Sequence, residues 1–464
     1  MFTIADIAEL TGGTVIGHND AWVTGVSTDS RTISASDLFV PLVGPRFDGH
    51  AFIPEVATKG VTVVLSAVTW ATSHLFPAGV TAVVVPDTLQ ALGDLAAAYR
   101  AHYTLPVIGV TGSNGKTTTK EILASIMTLT GPGLKTIGNL NNLIGLPQML
   151  FQLQPGHRWA VLEMGMSEPG EIDRLAEIAD PHVGVVTNAF PAHLESMGSV
   201  ENVARAKGEL FLRLPSGGTA VYNADDPLIA ALPTAPGVVR RSFGLTTGDV
   251  TATNVTTHGL DGIKFILHLA EGCLPVRFHA CGRHQLANAL AAAAGAEALG
   301  VEAGTIRAGL ELFQPVDRRF VVERVSRLTL IDDSYNANPA SMEAALATVA
   351  EIKGWGRVFA ALGDMLELGP DAERLHRKLG EQAGKVAWRL YLIGDMAPVV
   401  AEGAHQAGLA PSAIIIGGTH EEIAAEILRE ARPDDLVLVK GSRGMGMDRV
   451  ATLIRDQSHL RKEA

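Results

Sequence analysis

The run Gly109-Val110-Thr111-Gly112-Ser113-Asn114-Gly115-Lys116-Thr117-Thr118-Thr119-Lys120 follows an apolar, strand-like stretch at residues 105–110 and opens a helical stretch at 116–128. A strand, a glycine turn and a helix in that order aim backbone N–H groups and the positive helix end at one point. Glycines let the backbone approach phosphate oxygens, Lys116 supplies a point charge, and the Thr117 hydroxyl suits Mg²⁺. Val110 stands where the common form of such loops carries its first glycine. A plain glycine turn that happens to carry Lys-Thr is the rival reading. The flanking strand and helix favour a loop that binds a nucleoside triphosphate.

A chain of 464 residues has room for roughly three domains. With 47% hydrophobic and 19% charged residues it can bury several cores. A net charge of −12, without a basic stripe interleaved with aromatics, argues against a nucleic-acid partner. Acidic substrates stay possible, because a local cluster of Lys and Arg can hold them against the global charge. Cys273 and Cys281 form neither a disulfide framework nor a metal spacing, as expected of reduced thiols in a cytoplasmic protein. The N-terminus lacks a basic region followed by an apolar core, so no signal peptide is expected. The richest apolar stretch, 286–299, is too short to span a bilayer and predicts a buried helix.

The expected fold class is α/β with three domains. Residues 1–84 read as a small mixed α/β domain, with a helix over 3–10, strands at 37–41 and 61–65, and a helix over 54–59 between them. Residues 85–314 read as a central P-loop domain with a parallel sheet. In it a helix over 89–102 leads into the phosphate-loop strand, further strands lie at 159–162 and 183–187, and short alternating strands at 251–281 form a β-rich edge. A helix from Gln285 closes this domain. Residues 315–464 alternate strands (328–332, 358–362, 390–393, 413–416, 436–439) with helical runs, the signature of a second, Rossmann-like parallel sheet.

Ligands of open α/β sheets sit at the carboxyl ends of strands, so the phosphate loop, Glu163 and residues 188–195 should converge on one crevice. Glu163 can hold Mg²⁺ opposite Thr117, or can be a surface glutamate in a turn. His193 lies just beyond a strand end, where a ligand role and a structural role are both open. From its local sequence Lys207 reads as a solvated helix lysine. The dense polar string Asp332-Asp333-Ser334-Tyr335-Asn336-Ala337-Asn338-Pro339 suggests a ligand site. Lys440-Gly441-Ser442-Arg443-Gly444-Met445-Gly446 can bind an anion or be a plain turn.

Together these strings resemble the Mur ligase family, ATP-dependent amide-forming enzymes of peptidoglycan precursor synthesis. The string Thr111-Gly112-Ser113-Asn114-Gly115-Lys116-Thr117 resembles that family's phosphate loop, which accounts for Val110. Asp333-Ser334-Tyr335-Asn336-Ala337-Asn338-Pro339-Ala340-Ser341-Met342, Gly363-Asp364-Met365-Leu366-Glu367-Leu368-Gly369 and Lys440-Gly441-Ser442-Arg443-Gly444-Met445 resemble the branch that adds D-alanyl-D-alanine. The resemblance runs from about Asp29 to Arg449.

The resemblance implies ATP and Mg²⁺, with two ions, as cofactors, and UDP-N-acetylmuramoyl-tripeptide and D-alanyl-D-alanine as substrates of a monomeric enzyme. It implies that Gly112, Ser113, Asn114, Gly115, Lys116, Thr117 and Thr118 cradle the ATP phosphates. Thr117 and Glu163 would hold one Mg²⁺, and His193 would help hold a second. Lys207 matches the position of a lysine that the family often carries carbamylated toward that second metal. This reverses the local reading of Lys207. Asn288, in Gly282-Arg283-His284-Gln285-Leu286-Ala287-Asn288, matches an adenine-side contact, with Gln285 where asparagine is usual. Arg318 and Asp333 match residues that reach ATP from the third domain, with Asp317 where glycine usually precedes that arginine. Ser27, Asp29, Ser30 and Arg31, with Asp48, Gly49 and His50, resemble the uridine-nucleotide segment. Asn139, Asn141 and Asn142 resemble a sugar- or peptide-facing loop, and Asn336 and Arg443 are candidates for the dipeptide side. The rivals are a sibling ligase, a folylpolyglutamate-type synthetase, a P-loop NTPase switch and a nucleotide-binding scaffold without catalysis.

Overall fold

The computed structural model describes residues 1–460 apart from Asn19, Arg46, Ala192, His193, Asp317 and Trp355, with side chains as far as Asp456. His193, a predicted metal ligand, therefore lies outside the described residues, as does Asp317. The first unit is built on a five-stranded sheet in the order Thr14–Ile16, Thr81–Val85, Val63–Ala67, Asp37–Phe39, Gly25–Ser27. The edge strand Thr14–Ile16 is antiparallel and the remaining pairings are parallel. Val63–Ala67 is buried along its whole length, which is why it reads as an unbroken apolar run. Thr3 opens the helix Ile4–Thr11 as its cap, its hydroxyl accepting from Asp6 N while Asp6 accepts from Thr3 N.

Asp87 caps the next helix, Thr88–Ala101, by accepting from Leu89 N and Gln90 N. This helix joins two cores. Ala91, Leu92 and Leu95 pack into the first unit, whereas Ala96 packs into the second.

The central sheet has six parallel strands in the order Leu134–Lys135, Ala160–Glu163, Val107–Thr111, Val183–Val186, Thr219–Asn223, Val239–Phe243. The chain leaves Val107–Thr111 for one side of the sheet and returns on the other, so the strand order reverses beside the phosphate loop. Such reversals open ligand crevices at the carboxyl edge. Register does the rest: Val110 pairs with Glu163 and Thr111 with Val186, which brings three strand ends to one line.

The expected β-rich edge is a three-stranded antiparallel sheet of Thr251–Thr257, Ile263–Leu269 and Gly272–Phe278. Helix Arg283–Ala298 starts two residues before the predicted position and is buried between both sheets. Its small alanine side chains allow that close approach from all sides.

The C-terminal sheet runs Val321–Val325, Leu328–Asp333, Leu436–Lys440, Val358–Gly363, Arg389–Ile393, Ile414–Ile416. Five strands are parallel as predicted. The sixth, Val321–Val325, is an unpredicted antiparallel edge joined to Leu328–Asp333 by a two-residue turn at Ser326-Arg327. Ser326 takes φ +55 there, the left-handed geometry that tight hairpins require. Asp333 and Lys440 pair in register, so both polar strings of this unit end at the same edge.

Candidate active site

The phosphate loop is glycine-dependent at two positions for both conformation and space. Gly112 and Gly115 adopt φ +151 and +81, and a Cβ on either would lie 1.8 Å from Thr187 Oγ1 or 2.1 Å from Asn288 Oδ1. Residues beyond the neighbouring strand fix the loop's path. Thr187 Oγ1 donates to the Asn114 carbonyl at 2.6 Å, and Asn188 Nδ2 donates to the same oxygen at 3.1 Å. Asn188 Oδ1 accepts from Asn114 N at 2.9 Å. Lys116 opens the helix Lys116–Thr128 and arches back, donating to the Gly112 carbonyl at 2.7 Å.

Thr117 Oγ1 donates to Glu163 Oε2 at 2.7 Å, and Asn141 Nδ2 donates to Glu163 Oε1 at 2.7 Å. Glu163 is only 2% exposed, so the surface-turn alternative does not hold for it. A buried carboxylate beside a threonine hydroxyl is a pair of hard oxygen donors. Among the described residues no group of three or more His, Cys, Asp and Glu side chains converges as a metal cage. The pair therefore suits a cation such as Mg²⁺ that keeps waters and phosphate oxygens as its other ligands.

Lys207 overturns its local reading as a solvated residue. It projects from helix Val200–Leu212, is 2% exposed, and lies close enough to Lys116 to feel its charge. Burial first, and Lys116 second, hold its amine well below the usual lysine range. Lys116 is also lowered by burial, with Glu163 opposing that shift and Arg319 adding to it.

Lys116, Thr117 and Glu163 face a cavity of about 920 Å³ between the central and C-terminal units, whereas Lys207 is not among the residues that line it. Ser113, Asn114, Gly115, Lys116, Thr117, Thr118, Asn139, Asn141, Asn142, Glu163 and Asn288 line one wall. Asp333, Asn336 and Arg443 line the other. Asp333 pairs with Lys440 Nζ at 2.6 Å, and burial nevertheless lifts its carboxyl above the usual aspartate range. Asn336 is tied in twice, its carbonyl accepting from Lys440 Nζ at 3.0 Å and its Oδ1 from Arg443 N at 3.3 Å. His284, also in the wall, is pushed down to about 4 by burial, with the Lys440 charge acting in the same direction.

Two predicted contacts are displaced. Arg318 carries its guanidinium away to Asp448 at 2.9 Å, and its φ of +58 is one that glycine adopts without cost. Arg319 is the arginine in the cavity wall, stacked 3.9 Å over the Tyr335 ring. Arg319, and not Arg318, therefore faces the cavity. His50 is fully buried, with Nδ1 held by Asp48 at 2.5 Å and Nε2 accepting from Ala67 N at 2.9 Å. Both of its ring nitrogens are consumed inside the fold, so it shapes its segment rather than presenting a contact.

The remaining first-unit candidates stand apart from the main cavity. Asp29 grips Arg31 through two hydrogen bonds of 2.9 and 2.6 Å, which hold the Asp29 carboxyl at about 2. Ser27 Oγ accepts from Asp29 N at 3.2 Å, and the Ser30 carbonyl accepts from Lys59 Nζ at 2.7 Å. Gly49 packs so tightly that a Cβ would lie 2.7 Å from the Leu42 backbone. This segment connects to the cavity through Thr28, whose hydroxyl accepts from Gln148 Nε2 at 2.8 Å. Gln148 lies on helix Gly145–Leu150, whose first residue donates its backbone N–H to Asn142 Oδ1 at 2.8 Å.

Three family profiles match along the chain: the Mur ligase family catalytic domain over residues 23–100, the Mur ligase middle domain over 110–296, and the Mur ligase glutamate ligase domain over 318–443. The chain is 34% identical to the UDP-N-acetylmuramoyl-tripeptide–D-alanyl-D-alanine ligase of Bacillus subtilis, covering 97% of each. The chain belongs to the Mur ligase family. Among solved structures of this family, MurF from Acinetobacter baumannii superposes with a TM-score of 0.89 at 33% identity, covering 98% of this chain and 99% of that one. MurF ligase from Thermotoga maritima, in complex with ADP, gives 0.83 at 28% identity, with coverage of 95% and 99%. The three-unit α/β architecture is thus that of Mur ligases.

Proposed function

We propose that this Mur ligase joins the amine of D-alanyl-D-alanine to the terminal carboxylate of UDP-N-acetylmuramoyl-tripeptide, using ATP and releasing ADP and phosphate. The observation that carries the reading is the single cavity in which the phosphate loop with Thr117 and Glu163 faces Asp333, Asn336 and Arg443. Relatives named for this reaction match over nearly their full lengths.

The chemistry balances in two steps. A carboxylate oxygen of the tripeptide bonds to the γ-phosphorus as the bond to ADP breaks, giving an acyl phosphate. The dipeptide amine then bonds to the acyl carbon, phosphate leaves, and the amine's proton passes to solvent. Phosphorylation is needed because an unmodified carboxylate would have to expel oxide. The reaction joins anions, so positive charge and alignment dominate the rate. Lys116 and Arg319 supply charge at the phosphates, while the amides of residues 112–118 hold them in line. Thr117 and Glu163 would hold one Mg²⁺, which supplies further charge neutralisation when bound.

His193 and Lys207 are assigned to a second Mg²⁺, Lys207 as its carbamate. Burial lowers the pKa of this amine, which favours the neutral form that adds to CO₂ with formation of an N–C bond and loss of one proton, and the product offers carboxylate oxygens suited to Mg²⁺. Asn288 is assigned to the adenine side and Asp333 to ATP. Residues 27–31, with Asp48 and Gly49 on the segment that His50 shapes, take the uridine nucleotide, Asn139 and Asn142 the sugar or peptide, and Asn336 and Arg443 the dipeptide. We assign the UDP-sugar substrate domain to residues 1–84, the ATP-binding P-loop domain to 85–314 and the Rossmann-like ligase domain to 315–464. No helix among the described residues is long and apolar enough to cross a membrane, and both cysteines are free thiols. These fit a cytoplasmic enzyme, which we assign as a monomer.

Isotope transfer tests the intermediate. Tripeptide carrying ¹⁸O in its terminal carboxylate should pass one ¹⁸O to the released phosphate. Unlabelled phosphate from a completed ligation would rule out the acyl phosphate.

A further inference from the structure

The C-terminal unit reaches the phosphate loop through a pair of side-chain amides. Asn338 Nδ2 donates to Asn114 Oδ1 at 2.7 Å, and Asn114 Nδ2 donates back to Asn338 Oδ1 at 3.1 Å. Face-to-face amides satisfy a donor and an acceptor on each partner, which among side chains Asn and Gln can do. The Asn114 backbone is already fixed by Thr187 and Asn188, and its side chain turns across the unit boundary.

Asn338 is itself held from two directions. Its Oδ1 accepts from Ser341 N at 2.9 Å, capping helix Pro339–Ile352. That helix lies against the central unit farther along, where Thr257 Oγ1 donates to Glu351 Oε1 at 2.6 Å. On the other side, residues 333–336 are pinned by buried Lys440 through Asp333 and the Asn336 carbonyl. A rigid strap therefore runs from the dipeptide-side residues to the phosphate loop.

We propose that Asn114 and Asn338 form a positioning pair that sets the amine-binding wall in register with the phosphate loop, so that the amine meets the acyl phosphate before water does. This rests on the ligase reading above. Asn338 acts through Asn114 and the strap rather than on the reacting atoms.

Asn338→Ser isolates this role, because a serine hydroxyl still caps the helix but no longer presents an amide. It should lower kcat for amide formation about tenfold, with KM for ATP changed by less than about twofold. Phosphate released per amide formed should rise at least about twofold, which loss of stability alone would not produce. Asn338→Asp keeps the cap and one acceptor and should fall between the two proteins; it carries the test if the serine variant does not fold. Combining Asn338→Ser with Asn114→Ala should cost no more than the worse single change. Unchanged kcat and phosphate ratio, or full additivity of the two changes, would overturn the pair. Hydrogen exchange at residues 112–116 gives an arm independent of turnover: faster exchange in Asn338→Ser supports the pair, and unchanged exchange counts against it. If the unaltered protein forms no amide, the ligase reading fails on its own, while the exchange result still decides the pair.

Discussion

Thr117 donates its hydroxyl to Glu163 across 2.7 Å, tying the first turn of the phosphate-loop helix to the end of the neighbouring strand. The bond follows from register, since Glu163 pairs with Val110 at the strand end where the loop begins. Asn141 holds the second carboxylate oxygen, so Glu163 has one defined orientation toward the cavity.

Removing the charge while keeping the shape separates chemistry from packing here. Glu163→Gln should retain a bond from Thr117 and unfold within a few degrees of the unaltered protein. Its substrate-dependent phosphate release should fall about 100-fold or more, because a carboxylate that holds the cation is lost. Calorimetry and a phosphate assay read the two quantities, and near-normal release would remove Glu163 from the reaction.

The two adjacent arginines should separate cleanly. Arg319→Ala should cut kcat/KM for ATP by about tenfold or more, as expected for a cation withdrawn from the phosphate side. Arg318→Gly should stay within about threefold in turnover and about 1 kcal/mol in stability, because the exposed pair with Asp448 contributes little and glycine accepts the positive φ. The reverse pattern would restore the contact to Arg318.

Lys207 should carry a carbamate. Protein equilibrated with ¹³C-bicarbonate should give a carbamate carbon resonance that Lys207→Ala lacks, and turnover should fall when CO₂ is stripped and recover when it is returned. A spectrum without that resonance, with turnover indifferent to CO₂, would leave Lys207 a plain buried amine.

His284 should remain neutral well below the ordinary imidazole range. Its pKa of about 4 reflects burial first and the Lys440 charge second. With the folded value below the unfolded one, the group leaves stability untouched above about pH 6.5 and costs stability as pH falls from there toward 4. At pH 5 this amounts to about 2 kcal/mol, which His284→Gln should recover relative to pH 7. Imidazole NMR gives the direct reading, and titration near 6.5 would contradict the burial argument.

The parts legible in the sequence are those whose determinants are local. The phosphate loop announces itself because strand, glycine turn and helix are contiguous, and the helix Lys116–Thr128 begins and ends where its pattern predicts. Glu163 was legible as a strand end. Lys207 was not, because its burial comes from packing of helix Val200–Leu212 into the core and its helix sequence reads like any amphipathic surface run. The register of Arg318 and Arg319 turns on a backbone φ that an arginine doublet does not reveal. Val321–Val325 is too short and too mixed in character to declare itself before its hairpin partner is known. His50 was expected at the uridine nucleotide through a resemblance of its segment, yet its ring nitrogens meet Asp48 and Ala67 inside the same fold, a burial no local string encodes. Asn338 and Asn114 meet across 224 positions, a pairing no local pattern encodes.

Amide formation coupled to ATP is read most directly by phosphate release. Phosphate release should be measured with ATP and Mg²⁺ while UDP-N-acetylmuramoyl-tripeptide and D-alanyl-D-alanine are added separately and together, with the product weighed by mass spectrometry. Rapid release is expected only with both present, accompanied by a pentapeptide product. Release indifferent to both substrates, with no new amide, would rule out the ligase.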